Sequence, residues 1–427
     1  MLKLRRLGLL GGCALTAFAC SRLEFSKAFV ASNKHIHLDS RKPRLLSREE
    51  VKASFIEKHG ENSGTYFDLA ELPSLGEDAT CHGNVGDFEC WGIFDGHSGW
   101  CNSNYVANHI LGYIQTAFDA KAKSKWLNSA LTSQEIDEAV EEAFCTLDTD
   151  IIQAPLNALD KNDPQLAAAA LPIALNGSCA MLSMYDSVKN VLKIALVGDS
   201  RAVLGTQDEN GVWHAENLTV DQTGENEDEI KRIRSEHPND PPEIVSRGRV
   251  LGYQPSRTFG DAVTKWSREA QKQLRSVFWV NGHHSLLRSP PYLTAKPVVT
   301  TKNLDPTKPS FLVMGCDGLY EWLTNKQVVD LVSQYLEKNK IIPIFPVAGI
   351  QDDSNDGSAK DFLRPKALNW GPLEPTVEDD NCATHLIRNA LGGAEFQKVS
   401  LLISIPSPLS RRHRDDITCT VVFFKPK

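Results

Sequence analysis

The sequence predicts a folded chain in which short apolar strands alternate with amphipathic helices. Three observations support this prediction. Of the 427 residues, 41% are hydrophobic and 23% are charged, as in ordinary soluble proteins, so a chain that is disordered, collagen-like or coiled-coil throughout is excluded. Several windows repeat apolar residues at helical spacing. Other, shorter windows are rich in valine, isoleucine, leucine and phenylalanine and are bounded by glycine or aspartate, which is typical of strands.

The N-terminal residues predict a targeting segment. Residues 7–20 form an apolar run that follows three basic residues and is shorter than a membrane span. The stretch from there to Arg48 contains seven lysines or arginines, five serines and only two acids, which is typical of a mitochondrial presequence. We therefore expect residues 1–48 to be a targeting segment and linker for mitochondrial import. The alternatives are an uncleaved N-terminus and a secretory or membrane-anchored route, with membrane contact only through the apolar run.

Four helices are predicted where a capping pattern or apolar residues at helical spacing occur. In chain order they begin near Asn102, at the Thr132-x-x-Glu135 box, at the Thr324-x-x-Gln327 box and near Asn381. The first is expected to end near Phe118, and Gly392 is expected to stop the last. Residues 344–378 are rich in proline, glycine and aspartate and predict a long surface insertion, and a second loop-like tract is predicted at 267–297.

Four apolar runs, each expected to be a strand, begin or end at an aspartate. They are Cys90–Asp95, Leu192–Asp199, Phe311–Asp317 and Asp415–Phe424. A single aspartate often only starts a turn, but antiparallel neighbours would bring such carboxylates to one edge of a sheet. Like charges that close together repel strongly unless a cation neutralises them. The pattern therefore predicts a site for Mg²⁺ or Mn²⁺, which prefer oxygen ligands.

Charge and cysteine spacing argue against other classes of protein. The formal net charge is −8, whereas a nucleic-acid-binding domain usually carries a basic face, so no nucleic-acid partner is expected. Ten cysteines are too few for a disulfide scaffold, and the sequence has neither a Cys-x-x-Cys pair nor a His-Glu-x-x-His motif to hold zinc. Cys90, Cys316 and Cys419 lie in or beside apolar runs, where cysteine usually acts as a small buried hydrophobe, and this favours a reducing compartment.

Six motifs resemble, in the same order, the successive motifs of the metal-dependent type 2C (PPM) serine/threonine protein phosphatases. They are Phe94–Gly99, Asn176–Ala180, Val197–Leu204, Arg257–Asp261, Cys316–Glu321 and Arg414–Thr418. The resemblance implies an α+β fold, a four-layer α-β-β-α sandwich in which helices flank two antiparallel sheets. It also implies that residues 49–427 are a phosphatase domain, with the two predicted insertions as loops.

Further segments resemble one branch of that family, the mitochondrial pyruvate dehydrogenase phosphatases. These segments are Arg249–Gly252, Arg257–Asp261, Lys265-Trp266, Pro290–Ala295 and Asn381–Arg388. This resemblance implies a location in the mitochondrial matrix and a phosphoprotein substrate, the E1α subunit of pyruvate dehydrogenase.

The family resemblance also implies the metal ligands. Two Mg²⁺ or Mn²⁺ ions are expected, with a weaker third. Asp95 would bridge the first two ions, and the carbonyl of Gly96 would bind one of them. Asp317 and Asp415 would hold the other ion, and Asp199 would border the third site together with Asp317. No other cofactor is implied.

Glu77 and Asp78 are also expected at the metal site, because they stand where the family has its first acidic pair, although the match is weakest there. Residues 72–78 lack the arginine that many members use upstream of this pair to hold phosphate. The pyruvate dehydrogenase branch also tends to lack that arginine, so activity is still expected. Cys179 and Tyr320 replace a more common threonine and tryptophan.

The implied reaction is hydrolysis of phosphoserine or phosphothreonine by a metal-activated water, without a covalent phosphoenzyme. His97, next to the expected ligands Asp95 and Gly96, would protonate the leaving alkoxide. A single histidine is more often structural, but its place in this motif favours the catalytic role. Two alternatives are a non-mitochondrial phosphatase of the same family and a non-catalytic adaptor that binds phosphoproteins.

Two other patterns are expected to be coincidences. Cys382-x₅-Arg388 has the spacing of cysteine-dependent phosphatases, but the residues between them include no glycine to cradle phosphate and have the periodicity of a buried helix. The sequons at Asn176 and Asn217 would be glycosylated only in a secreted protein.

Overall fold

Short strands alternate with helices along the chain, as the sequence predicts. The computed structural model describes residues 44–124, 130–278, 286–353 and 374–427, which belong to one compact unit, Arg44–Lys427. Almost all of the predicted targeting segment lies outside the described residues.

The strands of the described residues are, in chain order, β1 Ile56–Glu61, β2 Thr65–Leu72, β3 Ala79–Val85, β4 Phe88–Phe94, β5 Gly96–His97, β6 Gly177–Ser178, β7 Ala180–Asp186, β8 Val191–Val197, β9 Arg201–Gln207, β10 Val212–Asn217, β11 Val245–Ser246, β12 Arg249–Val250, β13 Phe259–Gly260, β14 Val298–Asn303, β15 Ser310–Gly315, β16 Gly349–Asp352 and β17 Ile417–Phe424. The α-helices are α1 Arg48–Lys52, α2 Cys101–Ser124, α3 Ser133–Asp160, α4 Pro164–Leu175, α5 Glu227–Glu236, α6 Arg268–Phe278, α7 Asp317–Tyr320, α8 Asn325–Asn339, α9 Cys382–Ala390 and α10 Phe396–Ser404.

Two sheets form the centre of the fold. The larger has the strand order β1-β2-β17-β15-β9-β10-β16, and the smaller has the order β14-β8-β7-β4-β3. Neighbouring strands are antiparallel, except that β16 pairs parallel with β10. The strand β16 lies in the tract predicted as an insertion, and its four residues are too few to show a strand pattern. The predicted pair of antiparallel sheets is thus confirmed, with one parallel edge strand added.

Strand β15 shows why the sheets pack face to face. Phe311 and Val313 pack with the helices that cover the larger sheet, whereas Leu312 and Met314 pack against the smaller sheet, for example in the cluster that includes Trp91. Successive side chains point to opposite faces of a strand, so burial of both faces requires an apolar residue at every position. This is why the run from Phe311 onward is continuously apolar rather than alternating.

Helices cover both outer faces of the sandwich. The apolar side chains of α8, α9 and α10 are buried on the larger sheet. On the other side, α2 packs on β3 and β4, and α3 and α4 pack against α2. The four-layer α-β-β-α arrangement that the resemblance implies is confirmed.

Three of the four predicted helix starts are confirmed by their capping interactions, and the remaining helix, α2, begins at Cys101, next to the predicted Asn102. Thr132 accepts a hydrogen bond from the Glu135 backbone N–H at 3.3 Å, and the Thr132 N–H donates to the Glu135 carboxylate at 2.7 Å, which opens α3. Thr324 opens α8 with the same reciprocal pattern. Asn381 is the N-cap of α9, and that helix ends before Gly392, whose φ of 140° a side chain would rarely adopt.

Two predicted boundaries differ from the structure. The helix α2 continues to Ser124, well beyond Phe118, because the intervening residues are mainly alanine and lysine, which favour helix without adding apolar periodicity. The tract 267–297, predicted to be loop-like, contains α6. Ala270, Leu274, Val277 and Phe278 recur at helical spacing in this segment, so the signal for a helix is present in the sequence, and Leu274 is the one of them that is buried.

The described cysteines are all free thiols, and Cys90, Cys316 and Cys419 are buried as expected. Among the residues that the structure describes, no helix combines the length and apolarity needed to cross a membrane.

Candidate active site

The aspartates of the four apolar runs meet at one end of the sandwich. Asp317 follows β15 and Asp415 precedes β17, and these strands are antiparallel neighbours, so both aspartates reach the same edge of the larger sheet. Asp95 follows β4 and Asp199 follows β8 in the smaller sheet, and both are close enough to Asp317 to feel its charge. The structure therefore brings together the carboxylates that the sequence singled out.

Crowding of these carboxylates changes their proton affinities. Burial, followed by the charge of Asp317, raises the pKa of Asp199 to about 7. Burial and the charges of Asp317 and Asp78 raise the pKa of Asp95 well above its usual range. Burial and the neighbouring Asp416 do the same to the pKa of Asp78. Such a cluster is electrostatically unfavourable without a cation, and a divalent cation would relieve the repulsion.

Three carboxylates are near enough to share one ion. Asp317, Glu321 and Asp415 each offer an oxygen, and these oxygens all lie within 4.8 Å of one another. The donor set is purely oxygen and partly buried, which fits a hard cation such as Mg²⁺ or Mn²⁺ better than zinc. Glu321 is absent from the ligands expected from the sequence. The available signal is its position four residues after Asp317, because one helical turn places two such side chains on the same side.

Protein donors already hold both oxygens of Asp199. The Cys179 thiol donates to Oδ1 at 3.2 Å, and the Gln254 amide donates to Oδ2 at 3.1 Å. These bonds fix the carboxylate beside Asp317 and partly offset the rise in its pKa. Cys179 therefore positions the Asp199 carboxylate in this fold, although its sequence position suggests only a substitution for threonine.

A second acidic residue, Asp416, organises the loop that carries Glu77 and Asp78. Its carboxylate accepts hydrogen bonds from the backbone N–H groups of residues 74–77, including that of Glu77 at 2.8 Å. The carboxylate of Asp78 accepts a hydrogen bond from the Thr418 hydroxyl at 2.6 Å. Sequence reasoning assigned no role to Asp416, since the adjacent Asp415 was the expected ligand. Asp415 thus belongs to the acidic cluster, whereas Asp416 supports the neighbouring loop.

Gly96 is required by a close backbone approach. A Cβ atom at this position would lie 2.1 Å from the carbonyl oxygen of Glu77, which also accepts a hydrogen bond from Ser103. Glycine after Asp95 therefore lets the two acidic segments come together.

His97 is paired with a buried aspartate that lies 164 positions away in the sequence. Its Nε2 lies 2.7 Å from Oδ2 of Asp261, whose backbone has a left-handed φ of 45°. Burial lowers and the charge of Asp261 raises the pKa of His97, with a net rise. Gly177 leaves room for the pair, since a Cβ there would lie 2.2 Å from Nε2. Asp261 was missed as a site residue, although it stands in one of the six motifs.

The cysteine-phosphatase pattern is not a site in this fold. Cys382 and Arg388 are both buried in α9, and the Arg388 Nε donates to the Asp379 carboxylate at 2.7 Å. Asn176, the acceptor residue of the first sequon, is the C-cap of α4. Its side-chain amide donates a hydrogen bond to the Ser98 carbonyl, so this side chain has a structural role.

Comparison with known proteins assigns this arrangement to a family. A model described as "Protein phosphatase 2C" matches residues 60–350, which is more than half of the chain. The chain belongs to the protein phosphatase 2C family. Members of this family are metal-dependent serine/threonine protein phosphatases, so this chain is a phosphatase of that type and acts on phosphoproteins. The family resemblance of the sequence motifs is confirmed.

Relatives of this phosphatase extend over most of its length. A protein phosphatase 2C homolog of Schizosaccharomyces pombe is 37% identical over 348 residues, covering 80% of this chain and 74% of the relative. Pyruvate dehydrogenase (acetyl-transferring) phosphatase 1, mitochondrial, of Saccharomyces cerevisiae is 39% identical over 361 residues, covering 79% and 62%. The human protein of the same name is 32% identical over 453 aligned residues, covering 89% and 82%.

A solved structure supports the fold. The serine-threonine phosphatase 2C of Toxoplasma gondii matches with a TM-score of 0.51 at 17% identity, covering 87% of this phosphatase and 99% of that chain. At this identity the likeness concerns the sandwich architecture alone.

Proposed function

We propose that this phosphatase acts in mitochondria, where it removes phosphate from serine residues of the E1α subunit of pyruvate dehydrogenase with two divalent cations at the acidic cluster. The observation that carries the proposal is the convergence of Asp95, Asp317, Glu321 and Asp415 at one end of the sandwich. The substrate and location are supported by the relatives of yeast and human origin that are named mitochondrial pyruvate dehydrogenase phosphatases.

The proposed metal ligands are those implied by the motifs, with one addition. Asp95 and the Gly96 carbonyl would help to hold the two ions. Asp317 and Asp415 would also hold one of these ions. Glu321 is added because its oxygen lies with those of Asp317 and Asp415 within 4.8 Å.

The remaining acidic residues have supporting places in the proposal. Asp199 would border a weaker third ion together with Asp317, and its two hydrogen bonds to protein donors agree with a weaker site. Glu77 and Asp78 would lie beside the first two ions on the loop that Asp416 fixes. When bound, divalent cations at such a site offset charge on the phosphoryl oxygens and make a water molecule nucleophilic near neutral pH.

His97 would act on the leaving group in this reaction. The Asp261 carboxylate only accepts hydrogen bonds, so the proton of the 2.7 Å contact sits on Nε2 of His97. A proton for the departing serine oxygen must then come from Nδ1 of the imidazolium form. The pairing with Asp261 favours that form, because a neighbouring carboxylate stabilises the charged ring. Asp261 would thus be a positioning residue that keeps His97 protonated and oriented.

Phosphate release from the E1α subunit tests the substrate. We expect the full chain with Mn²⁺ to dephosphorylate phosphorylated pyruvate dehydrogenase with a kcat/KM at least roughly tenfold above that for an unrelated phosphoserine protein such as phosphocasein, which corresponds to about 1.4 kcal/mol of transition-state discrimination. The measurement is orthophosphate release at matched phosphoserine concentrations. Equal kcat/KM for both proteins would contradict the assigned substrate while leaving the phosphatase activity intact.

Import tests the location. We propose that residues 1–48 direct the chain to the mitochondrial matrix, because the segment is basic, rich in serine and poor in acids. A fluorescent protein fused after residue 50 should co-localise with a matrix marker, and a fusion starting at residue 50 should not. Secretion of the first fusion, or glycosylation of the full chain at Asn217, would contradict the proposal.

A further inference from the structure

One arginine lies against the acidic cluster and remains accessible to solvent. Arg411 belongs to a 3-10 helix, Leu409–Arg412, that leads into Asp415. Its guanidinium contacts the Asp415 carboxylate, and its side chain is 42% exposed. The charge of Arg411 also reaches Glu77, whose pKa it lowers against the larger effect of burial. Arg411 therefore stands between the cluster and the solvent from which a substrate arrives.

The turn that carries Arg411 is held in place by the loop that leads to Glu77. The Ser410 hydroxyl donates to the Ser74 carbonyl at 3.0 Å. Arg414 Nη2 donates to the Pro73 carbonyl at 2.7 Å. The backbone N–H of Arg414 donates to the Ser410 carbonyl at 2.9 Å and closes the turn. The side chain of Arg411 thus extends from a turn whose backbone is held by hydrogen bonds.

The nearby arginines have other tasks. Arg414 is buried, and its guanidinium donates to the backbone carbonyls of Leu72, Pro73 and Leu402. Its role is to fasten the loop to the turn. Arg201 makes two hydrogen bonds to Asp221, at 2.9 and 2.8 Å, and packs over the ring of Tyr320. The loop of residues 72–78, which includes Glu77, contains no arginine.

We propose that Arg411 binds the phosphoryl oxygens of the substrate and of the orthophosphate product. The inference rests on the proposed function, in which a cation occupies the Asp415 carboxylate and releases the guanidinium from it. A guanidinium is planar and presents parallel N–H donors that match two oxygens of a phosphate. Arg411 would then supply the phosphate-binding arginine that is missing from residues 72–78, from the turn that contacts this loop.

A competing role for Arg411 is to hold the Asp415 carboxylate in place for a cation. The two roles differ in what they predict for metal and phosphate. If Arg411 only supports Asp415, its removal weakens binding of Mn²⁺ and leaves the affinity of the loaded site for phosphate unchanged. If Arg411 binds phosphate, its removal weakens phosphate binding, while Mn²⁺ binds equally well or better because a competing positive charge is gone.

Calorimetric titrations of the full chain distinguish these roles. We expect Arg411→Gln to weaken binding of orthophosphate to the Mn²⁺-loaded protein by at least roughly tenfold, which is the scale of a charge-assisted hydrogen bond. The KM for a phosphoserine peptide should rise in parallel, and Mn²⁺ affinity should not fall. Arg411→Lys should bind phosphate with intermediate affinity, because lysine keeps the charge but lacks the planar fork. Arg412→Gln, which removes the same charge from the same turn, should bind phosphate like the wild type.

Two results would overturn the inference. The first is unchanged phosphate affinity in Arg411→Gln, and the second is an equal loss in Arg412→Gln, which would indicate a general effect of surface charge. Failure of the proposed function has a separate signature, namely a wild-type chain that binds no Mn²⁺ and releases no phosphate from the peptide. A folded, active wild type with an unaffected Arg411→Gln variant contradicts the phosphate-binding role alone.

Discussion

Asp317→Asn is expected to lower phosphate release from a phosphoserine peptide by roughly three orders of magnitude or more at saturating Mn²⁺. Asp317 contributes to the oxygen cluster with Glu321 and Asp415, and its charge is felt by Asp95 and Asp199. Loss of this ligand charge weakens cation binding and raises the pKa of any water the cation holds. Metal stabilisation of a phosphoryl transition state is worth several kcal/mol, and about 4 kcal/mol corresponds to roughly a 10³-fold change in rate.

The variant should still fold, because the substitution removes one of several clustered negative charges that repel each other. The backbone carbonyl of Asp317, which accepts the Glu321 N–H at 2.8 Å, is unchanged. Without metal, the midpoint temperature of thermal unfolding of Asp317→Asn should therefore be no lower than that of the wild type. Asp95→Asn is expected to behave in the same way. Asp305→Asn, at the opposite end of β15 in an exposed turn, is the matched control and should keep wild-type turnover.

Near wild-type turnover of Asp317→Asn or Asp95→Asn at saturating Mn²⁺ would contradict the assignment of these residues as ligands. A loss of activity accompanied by unfolding would be recognised in the thermal measurement. In that case Asp317→Glu, which keeps the charge but moves the oxygens, should also lose activity if ligand geometry is the cause.

His97→Gln is expected to reduce hydrolysis of phosphoserine peptides by roughly 10²–10⁴-fold, the usual scale of general acid catalysis. A serine alkoxide is strongly basic and needs a proton as it departs, whereas nitrophenolate leaves readily without one. Hydrolysis of p-nitrophenyl phosphate should therefore fall much less. The two rates are compared at saturating Mn²⁺, so that differences in metal occupancy do not contribute.

The pairing of His97 with Asp261 also predicts how activity depends on pH. Asp261 raises the pKa of His97, so the imidazolium form persists to higher pH than in a solvated histidine. As the pH is raised, activity of Asp261→Asn on phosphoserine should begin to decline at a lower pH than activity of the wild type. The reason is that His97 without Asp261 has a lower pKa and loses its proton earlier. If His97 only supports the metal site, His97→Gln should lose equal fractions of activity on both substrates, with partial rescue by excess Mn²⁺. Equal fractional losses would remove His97 from the catalytic residues.

The strands that carry the site could be predicted from sequence because both of their faces are buried. A strand such as β15 must be apolar at every position, so Asp317 at its end is conspicuous. The same holds for Asp95 after β4 and Asp199 after β8. Antiparallel pairing then requires that such ends meet, which general sheet geometry predicts without coordinates.

The supporting residues could not be identified in this way, since their roles depend on contacts between distant segments. Asp261 acts through His97, and Asp416 through the backbone of residues 74–77. Neither contact follows from local spacing. Glu321 is an intermediate case, because its separation from Asp317 is a helical turn, but the helix α7 is only four residues long and has no apolar stripe. Arg411 illustrates the same limit, as its turn is defined by hydrogen bonds to a loop more than 300 positions earlier.

Removal and restoration of metal test the central claim most directly. The wild-type chain, stripped with a chelator, should release no orthophosphate from a phosphoserine peptide above the uncatalysed rate. Mn²⁺ or Mg²⁺ added back should restore the activity fully, and the same addition to Asp317→Asn should not. Full activity of the stripped wild type, or equal restoration in Asp317→Asn, would contradict a phosphatase reaction that depends on cations held by this acidic cluster.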